Sequence, residues 1–270
     1  MRLFITEKPS AARSLSSALG THKTIRPYKN FRFAGHMEGK GWIVVYLAGH
    51  FYEAIEPKDK DPKLKNWTLE TLPILYKTIE WKPLATSLTI PVEEIHQQIA
   101  HISSLYNRID EAVIATDAGQ EGQLIGEVFL RETGWKGKTQ RLWTGSWDES
   151  AIKKALNQVQ PNENFRGYYD AAIARTLCDS LIGFNYTRLY TLKARQAGYN
   201  FVASTGRVRS AALYIVFLFD KKREDHQAAE YYSLDATLDF KGTTFKARLT
   251  PPKHILSDGK HCFEIGRAHV

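Results

Sequence analysis

Short apolar runs alternate with amphipathic stretches through the first 160 residues. The runs RLFIT, WIVVYLAGH and AVIAT are rich in β-branched and aromatic residues, which is typical of buried strands, and TQRLW takes the next strand position. Between them, apolar residues recur at helical spacing in PSAARSLSSALG, from Val92 to Tyr106, after Glu121 and in DESAIKKALNQV. This alternation predicts an α/β domain over residues 1–160, with a mostly parallel sheet flanked by helices.

The pattern changes after Pro161. Residues 161–225 have the spacing of one long helix or two packed helices, followed by a further helix that begins near TGRVRS. Later, YYSLDATLDF and TTFKARLT alternate like an antiparallel hairpin. We therefore predict a mainly helical domain at 161–225 and the start of a β-containing domain at 226–270. The proline-rich stretch from Glu56 to Pro91 is predicted to be a surface excursion without sheet.

Charge separates the two halves of the chain. The net charge is +8; residues 1–150 hold 19 basic and 18 acidic side chains, whereas residues 151–270 hold 18 and 11. A basic second half favours contact with a polyanion, although a solvated surface gives the same surplus. The longest apolar run, AALYIVFLF, is about half as long as a membrane span. With no secretion signal and only Cys178 and Cys262, a cytoplasmic protein is expected.

Acidic side chains leave two of the predicted strands. Asp117 and Glu121 lie on the turn between AVIAT and the next helix, where carboxylates also serve as ordinary N-caps or complement the helix dipole. Glu7 follows the first strand. Because ligands of open α/β sheets bind at the carboxyl ends of the strands, Glu7 and Asp117 are predicted to converge at one edge of the sheet.

The chain carries RLFITEKPSAAR, YLAGHFYE and ATDAGQEGQLIG in that order, and these segments resemble the toprim domain of type IA DNA topoisomerases, most closely the topoisomerase III branch. The resemblance continues through RLWTGSWDESAIKKAL, ARTLCDSLIGFNYTRLYT and STGRVRSAALYIV, which look like the family's helical DNA-binding segment. It implies a toprim-type sheet, a helical segment that holds single-stranded DNA, and the start of a β-containing arch.

This resemblance implies roles for four residues of the acidic site. Glu7 becomes the acidic residue next to the scissile phosphate, and Lys8 a positive charge on that phosphate. Asp117 becomes the first metal-binding aspartate, and Glu121 closes the acidic triplet. The implied catalytic residues are therefore Glu7, Lys8, Asp117 and Glu121, and the implied ligands of Mg²⁺ are Glu7, Asp117 and Glu121.

The acidic motif departs from the family pattern at two positions. Gly119 and Gln120 stand where the family has a second aspartate followed by arginine. Mg²⁺ tolerates this loss, since it binds through one or two carboxylates, keeps several waters and accepts phosphate oxygens. We expect weak Mg²⁺ binding without DNA, and a two-metal site has too few acidic ligands here.

The helical segment supplies the residues that the resemblance assigns to DNA. Residues 165–210 hold seven basic and two acidic side chains, with five tyrosines among them. Basic groups neutralise phosphates and aromatic faces stack on unpaired bases, although Arg175 and Asp179 also suit a simple ion pair on one helix, and solvated arginines are common. The implied nucleic-acid-binding residues are Arg175, Asp179, Arg188, Arg195, Gly206, Arg207 and Arg209.

The resemblance implies ATP-independent, Mg²⁺-assisted cleavage, passage and religation of single DNA strands, for relaxation or decatenation. The family's nucleophilic tyrosine has no counterpart among the 13 tyrosines, so we expect the front part of such an enzyme, inactive by itself, with residues 264–270 non-native. The alternatives are a toprim nuclease or primase relative, and a non-catalytic module that binds single-stranded DNA.

The expected partner is DNA, above all single-stranded DNA, in the cytoplasm. A helicase or a single-strand-binding protein is the candidate protein partner, and a monomer without membrane attachment is expected.

Overall fold

The computed structural model describes residues 1–27, 33–87, 90–228, 233, 235–248 and 250, so residues 264–270 lie outside the described part. The strands are β1 Arg2–Thr6, β2 His22–Ile25, β3 His36–Gly39, β4 Trp42–Tyr46, β5 Tyr52–Ala54, β6 Trp81–Pro83, β7 Glu111–Ile114, β8 Lys138–Arg141, β9 Gln160–Pro161, β10 Asp235–Phe240 and β11 Thr243–Arg248. The helices are α1 Pro9–Leu19, α2 Pro57–Lys60, α3 Val92–Ser104, α4 Gln120–Glu132, α5 Glu149–Leu156, α6 Arg166–Gln196 and α7 Arg207–Glu224. The chain forms two compact units, Met1–Arg207 and Val208–Val270.

The first unit is built on a mixed sheet. Within the described residues this sheet has seven strands in the order β2-β3-β4-β1-β7-β8-β9. The four central strands β4, β1, β7 and β8 run parallel, and β2, β3 and β9 are added antiparallel at the two sides. The predicted α/β fold with a mostly parallel sheet is confirmed. Strands β2 and β3 were not predicted. Strand β2 is largely exposed and has no apolar alternation.

Both faces of the sheet are covered, as its apolar strands require. Alternate residues of β1 point to opposite faces: Leu3 and Ile5 pack with α3, α4 and α6, whereas Phe4 packs with α1 and α5. The full burial of these strands explains why they read as continuous apolar runs. Burying each such side chain contributes about 1.5–3 kcal/mol. The edge of the sheet where Glu7 and Asp117 are predicted to converge is therefore supported by a well-packed core.

The excursion between Glu56 and Pro91 contains sheet after all. Strand β6 pairs antiparallel with β5, with Ala54 opposite Trp81. The prediction of an excursion without sheet was wrong because the pairing spans three residues and depends on a partner strand outside the excursion. The excursion is also tied to α6: the amide of Asn185 accepts from the backbone N–H of Ile74 over 2.6 Å and donates to its carbonyl over 2.9 Å.

Helix α6 is a single helix of 31 residues, which settles the choice between one long helix and two. Its first turns pack on α4, where Arg131 Nη1 donates to the hydroxyl of Tyr169 over 2.6 Å. Tyr169 and Ala172 belong to the same buried cluster as the strands. The helical segment is thus continuous with the α/β unit, and the predicted domain boundaries stay predictions.

The second unit holds nearly all of α7 and the predicted hairpin of β10 and β11. Lys241 and Gly242 form its turn with positive φ angles, as the sequence predicts. Apolar side chains of α7, among them Leu213, Phe217 and Phe219, are exposed within the described residues. No helix in the described part of the chain is both long enough and apolar enough to cross a membrane.

Candidate active site and nucleic-acid interface

The pairing of β1 with β7 brings the predicted acidic residues to one edge of the sheet. The two strands are parallel, with Ile5 opposite Ile114, so Glu7 and Asp117 leave the sheet side by side. Lys8 Nζ donates to Asp117 Oδ2 over 2.6 Å and lies 3.6 Å from Glu7 Oε1. The hydrogen bond with Asp117 and the charge of Glu7 raise the pKa of Lys8. Two carboxylates therefore already share one cation.

Buried groups hold the turn that carries Asp117. Arg141 at the end of β8 is fully buried, and its Nη2 donates to the carbonyl of Asp117 over 2.8 Å. Gly122 packs so closely beneath the turn that a Cβ there would lie 2.1 Å from the same carbonyl oxygen. The carboxylate is oriented as well, since Trp147 Nε1 donates to Asp117 Oδ1 over 3.3 Å. Neither Arg141 nor Trp147 was predicted as a site residue.

Glu121 lies apart from the pair formed by Glu7 and Asp117. It sits in the first turn of α4 with its side chain 62% exposed, and its Oε1 is 2.5 Å from His50 Nε2. His50 was missed by the sequence analysis, although its segment YLAGHFYE follows β4 and ends at the same edge of the sheet. The carbonyl of Glu7 accepts from the backbone N–H of Gly49, which fixes the His50 loop against the acidic site.

The donors at this edge suit Mg²⁺. Glu7 and Asp117 supply hard carboxylate oxygens that converge on a single cation, the Lys8 ammonium, and Mg²⁺ needs only one or two carboxylates beside water and phosphate oxygens. Among the described residues no group of three or more metal-ligating side chains is assembled. Gly119, where the family has an aspartate, faces open space. The residues present therefore fit one weakly held ion that phosphate oxygens complete.

A pocket of about 660 Å³ lies along α6 and reaches Glu121 at the start of α4. Its walls come from the turn after β7, from the excursion, from α6 and from the segment before α7. Its lining residues include Glu121, Glu56, Trp67, Arg175, Asp179 and Arg188. Glu121 was predicted for the acidic site and the other charged α6 residues for DNA. Glu7, Lys8 and Asp117 are not among its lining residues, so the pocket connects Glu121 with the predicted DNA-binding residues of α6.

Asp179 pairs with Arg207 rather than with Arg175. Arg207 Nε donates to Asp179 Oδ1 over 2.9 Å, and its Nη2 lies 3.4 Å from Asp179 Oδ2. This hydrogen bond lowers the pKa of Asp179 and raises that of Arg207. The ion pair between Arg175 and Asp179 that their spacing allowed is replaced by a link between α6 and Arg207, the first residue of α7. Arg175 lines the pocket.

Arg188 is the most deeply buried of the predicted DNA-binding side chains. It is 3% exposed, and its Nε and Nη1 have no hydrogen-bond partner among the described residues. Its guanidinium lies over the ring of Trp67, with Cζ 5.4 Å from the ring centroid. Burial lowers the pKa of Arg188. An arginine with two unsatisfied buried donors beside a pocket is arranged to receive an acceptor from a ligand.

The remaining predicted DNA-binding residues lie elsewhere. Arg195 is exposed near the end of α6 and does not line the pocket. A Cβ at Gly206 would meet nothing within 4 Å, so no contact among the described residues requires glycine there. Arg209 belongs to the second unit. These three residues stay predictions about DNA.

Comparisons with known proteins agree on one family. The Toprim domain family matches residues 2–141, and a DNA topoisomerase family matches residues 163–264. The fold is similar to that of full-length topoisomerase I from Thermotoga maritima, with a TM-score of 0.54 at 19% identity over 90% of this chain and 34% of that one. The chain belongs to the type IA DNA topoisomerases.

Within this family the similarity is to topoisomerase III. DNA topoisomerase 3 of Haemophilus influenzae is 35% identical over 87% of this chain and 35% of its own length. DNA topoisomerase 3 of Staphylococcus saprophyticus is 30% identical over 99% of this chain and 35% of its own length. The chain thus spans about a third of the length of the relatives that it matches.

Proposed function

We propose that this chain forms the acidic and strand-binding part of a topoisomerase III-like enzyme that cleaves, passes and religates single DNA strands. The observation that carries this proposal is the pocket that connects Glu121 to Arg188. A DNA strand lying in it would have its phosphates near the basic side chains of α6 and would pass Glu121, which follows Asp117 by four residues. The activity, the DNA substrate and its relaxation or decatenation are proposed for a protein that contains this chain.

The chemistry proposed is transesterification at phosphorus. A tyrosine oxygen bonds to the phosphorus while the bond to the 3′ oxygen breaks, and the phosphotyrosine link conserves the bond energy for religation. Lys8 places a positive charge next to the phosphate, and Glu7 lies within reach of the same group. Mg²⁺ held by Glu7 and Asp117 would add positive charge at the phosphate. No tyrosine of this chain is assigned as the nucleophile.

Strand binding is proposed to rest on arginines of α6 and of the segment that follows it. Arg188 offers unsatisfied donors to a phosphate, and Arg175 lies on the same pocket wall. Asp179 and Arg207 fix that wall through their ion pair. Phosphate contacts of this kind make affinity fall steeply with salt concentration, by about 0.7 in log–log slope for each contact to a single strand.

The test compares strand binding with strand cleavage. We expect the 270-residue chain to bind a fluorescent oligodeoxythymidine more tightly than the matching duplex, with a clear salt dependence. With Mg²⁺ it should form no covalent link to DNA, whereas a longer product of the same reading frame, where the source DNA encodes one, should form it. Mg²⁺-dependent nicking by the 270-residue chain without a covalent link would favour the toprim nuclease instead.

A non-catalytic strand-binding module is the second candidate. It is favoured by one observation, the ammonium of Lys8 between the carboxylates of Glu7 and Asp117, which gives the acidic edge a cation of its own. Under this function, single-strand affinity would be the same with and without Mg²⁺ and would be unaffected by Glu7→Gln or Asp117→Asn. A Mg²⁺-dependent gain in affinity that these two variants remove would exclude it.

A further inference from the structure

We propose that Trp67 is a positioning residue for the DNA strand, because its indole holds the Arg188 guanidinium in the pocket without neutralising it. The proposal rests on the proposed function and names a residue outside the predicted DNA-binding set. Trp67 lies in the proline-rich excursion, 121 positions before Arg188, and both side chains line the same pocket.

The excursion is fixed at two neighbouring points of α6. Asn185 clamps the backbone of Ile74 through two hydrogen bonds, and Arg188, three residues further along the same helix, lies over Trp67. Residues three apart share a helix face, so both contacts lie on the side of α6 that meets the excursion. Trp67 is therefore held as part of the pocket wall and is only partly buried.

The charges around Arg188 leave its own charge available. Glu56 is the acidic group that acts on its pKa, but the carboxylate of Glu56 is already paired with Lys58 at 2.7 Å. No ion pair to Arg188 is present among the described residues. A carboxylate partner would cancel the guanidinium charge, whereas an aromatic face attracts the cation and leaves its in-plane donors for an acceptor. This is the arrangement that a phosphate requires.

A second arginine of the same molecule displays the structural use of this contact. Arg141 lies over Trp143 with Cζ 4.8 Å from the ring centroid, its Nη1 and Nη2 donate to backbone carbonyls, and its Nε alone is without a partner among the described residues. At Arg188 the tryptophan contact is present and two donors remain unsatisfied. The difference points to an acceptor from outside the chain.

The experiment measures the affinity of the 270-residue chain for a fluorescent oligodeoxythymidine over a salt series. We expect Trp67→Leu to weaken binding by ~5- to 10-fold and to lower the log–log salt slope by about 0.7, the loss of one phosphate contact. Trp67→Phe, which keeps an aromatic face, should stay within about twofold of wild type. In an Arg188→Met background, Trp67→Leu should cause no further loss, because the two residues act as one unit.

Leu75→Ala is the matched control, since Leu75 is exposed in the same excursion and does not line this pocket. If Trp67→Leu and Arg188→Met lose affinity additively and the salt slope of Trp67→Leu is unchanged, Trp67 stacks on a base. That result would overturn the inference. Wild-type affinity in Trp67→Leu would overturn it too, while the proposed function would stand. A wild-type chain that does not bind the oligonucleotide would overturn the proposed function together with this inference.

Circular dichroism and thermal unfolding accompany every variant. If Trp67→Leu loses helix content, Trp67→Met takes its place in the same cycle, because it fills more of the same volume without an aromatic face. The salt slope of Trp67→Met and its coupling to Arg188→Met then decide the outcome.

Discussion

Two buried arginines mark two regions of this molecule, one in which backbone carbonyls accept from all but one nitrogen of the guanidinium and one in which two nitrogens are without partners among the described residues. Arg141 and Arg188 are 0% and 3% exposed, each lies over a tryptophan ring, and burial lowers the pKa of both, that of Arg141 to about 10. Arg141 donates to the carbonyls of Ile114, Thr116, Asp117 and Leu142. Arg188 leaves Nε and Nη1 without partners among the described residues.

The difference teaches how to separate a structural arginine from a binding one. Burial and a lowered pKa are common to both, so neither property identifies a ligand site. The carbonyls around Arg141 lie at the ends of β7 and β8 and in the turn that follows β7, and that of Ile114 also accepts from the backbone N–H of Leu142. Around Arg188 the described residues provide a ring and a pocket but no acceptor for Nε or Nη1. Four experiments test the difference between these two regions.

Arg141→Met should have the largest effect, and the effect should be on stability. The substitution removes a donor from four carbonyls, of which that of Ile114 keeps the backbone N–H of Leu142, and each group left unsatisfied costs about 1–3 kcal/mol. We expect the free energy of unfolding to fall by ~3 kcal/mol or more, measured from urea denaturation. If Arg141→Met unfolds at the wild-type urea concentration, the assignment of Arg141 to structure is wrong.

Arg188→Met should have the opposite profile. The free energy of unfolding should stay the same or rise by about 1 kcal/mol, because an unsatisfied buried cation is replaced by an apolar side chain of similar length. Affinity for single-stranded DNA should fall by about tenfold or more, the value of a charged hydrogen bond to phosphate. Arg195→Met, at an exposed site outside the pocket, is the control in fluorescence anisotropy. Destabilisation equal to that of Arg141→Met would erase the distinction between the two arginines.

The sequence predicts one of these regions better than the other. The strands and the convergence of Glu7 and Asp117 follow from apolar runs whose order fixes a parallel sheet, which is local information with one topological rule. The role of Arg141 does not follow from the sequence, since TQRLW gives no sign that the charge of this arginine is fully buried. Trp67 and Arg188 meet only because the excursion returns to α6. His50 and its bond to Glu121 depend likewise on a loop between distant strands.

The buried histidine pair His36 and His101 is, like Arg141, assigned to structure. His36 Nδ1 lies 2.8 Å from His101 Nε2, and His36 also contacts Glu38, which is paired with Arg108. Burial and, to a smaller extent, the nearby His36 together lower the pKa of His101 to about 4. Since the unfolded value is about 6.5, the native state binds fewer protons between these values.

This pair should make stability depend on pH. The contribution of His101 to the free energy of unfolding is complete above pH ~6.5. It is lost as the pH falls through about 4, the pKa of His101 in the folded state. His101→Gln should therefore flatten the fall in stability over that window, measured by urea denaturation at a series of pH values. The same substitution at the exposed His96 of the same helix controls for the loss of a histidine. An unchanged pH profile would mean that His101 is protonated without cost.

Gly119→Asp is expected to give the smallest effect, and it examines the acidic turn that Arg141 holds. Gly119 is the N-cap of α4, its φ of 165° is extended backbone that any residue adopts, and a Cβ there meets nothing within 4 Å. Aspartate should fit without strain, change stability by only a few tenths of a kcal/mol, and add a third carboxylate near Glu7 and Asp117. We expect Mg²⁺ to bind several-fold more tightly, by about 1 kcal/mol, measured by calorimetry without DNA.

Gly119→Asn decides whether charge is the cause. It has the same shape and the same capping ability as aspartate but is not a hard anionic ligand, so it should leave Mg²⁺ affinity at the wild-type value. Equal gains from Asn and Asp would attribute the effect to the cap and to ordering of the turn. A gain from Asp alone, with Arg141 unchanged beneath it, would mean that the turn is already fixed and that its weak metal affinity reflects only the number of carboxylates.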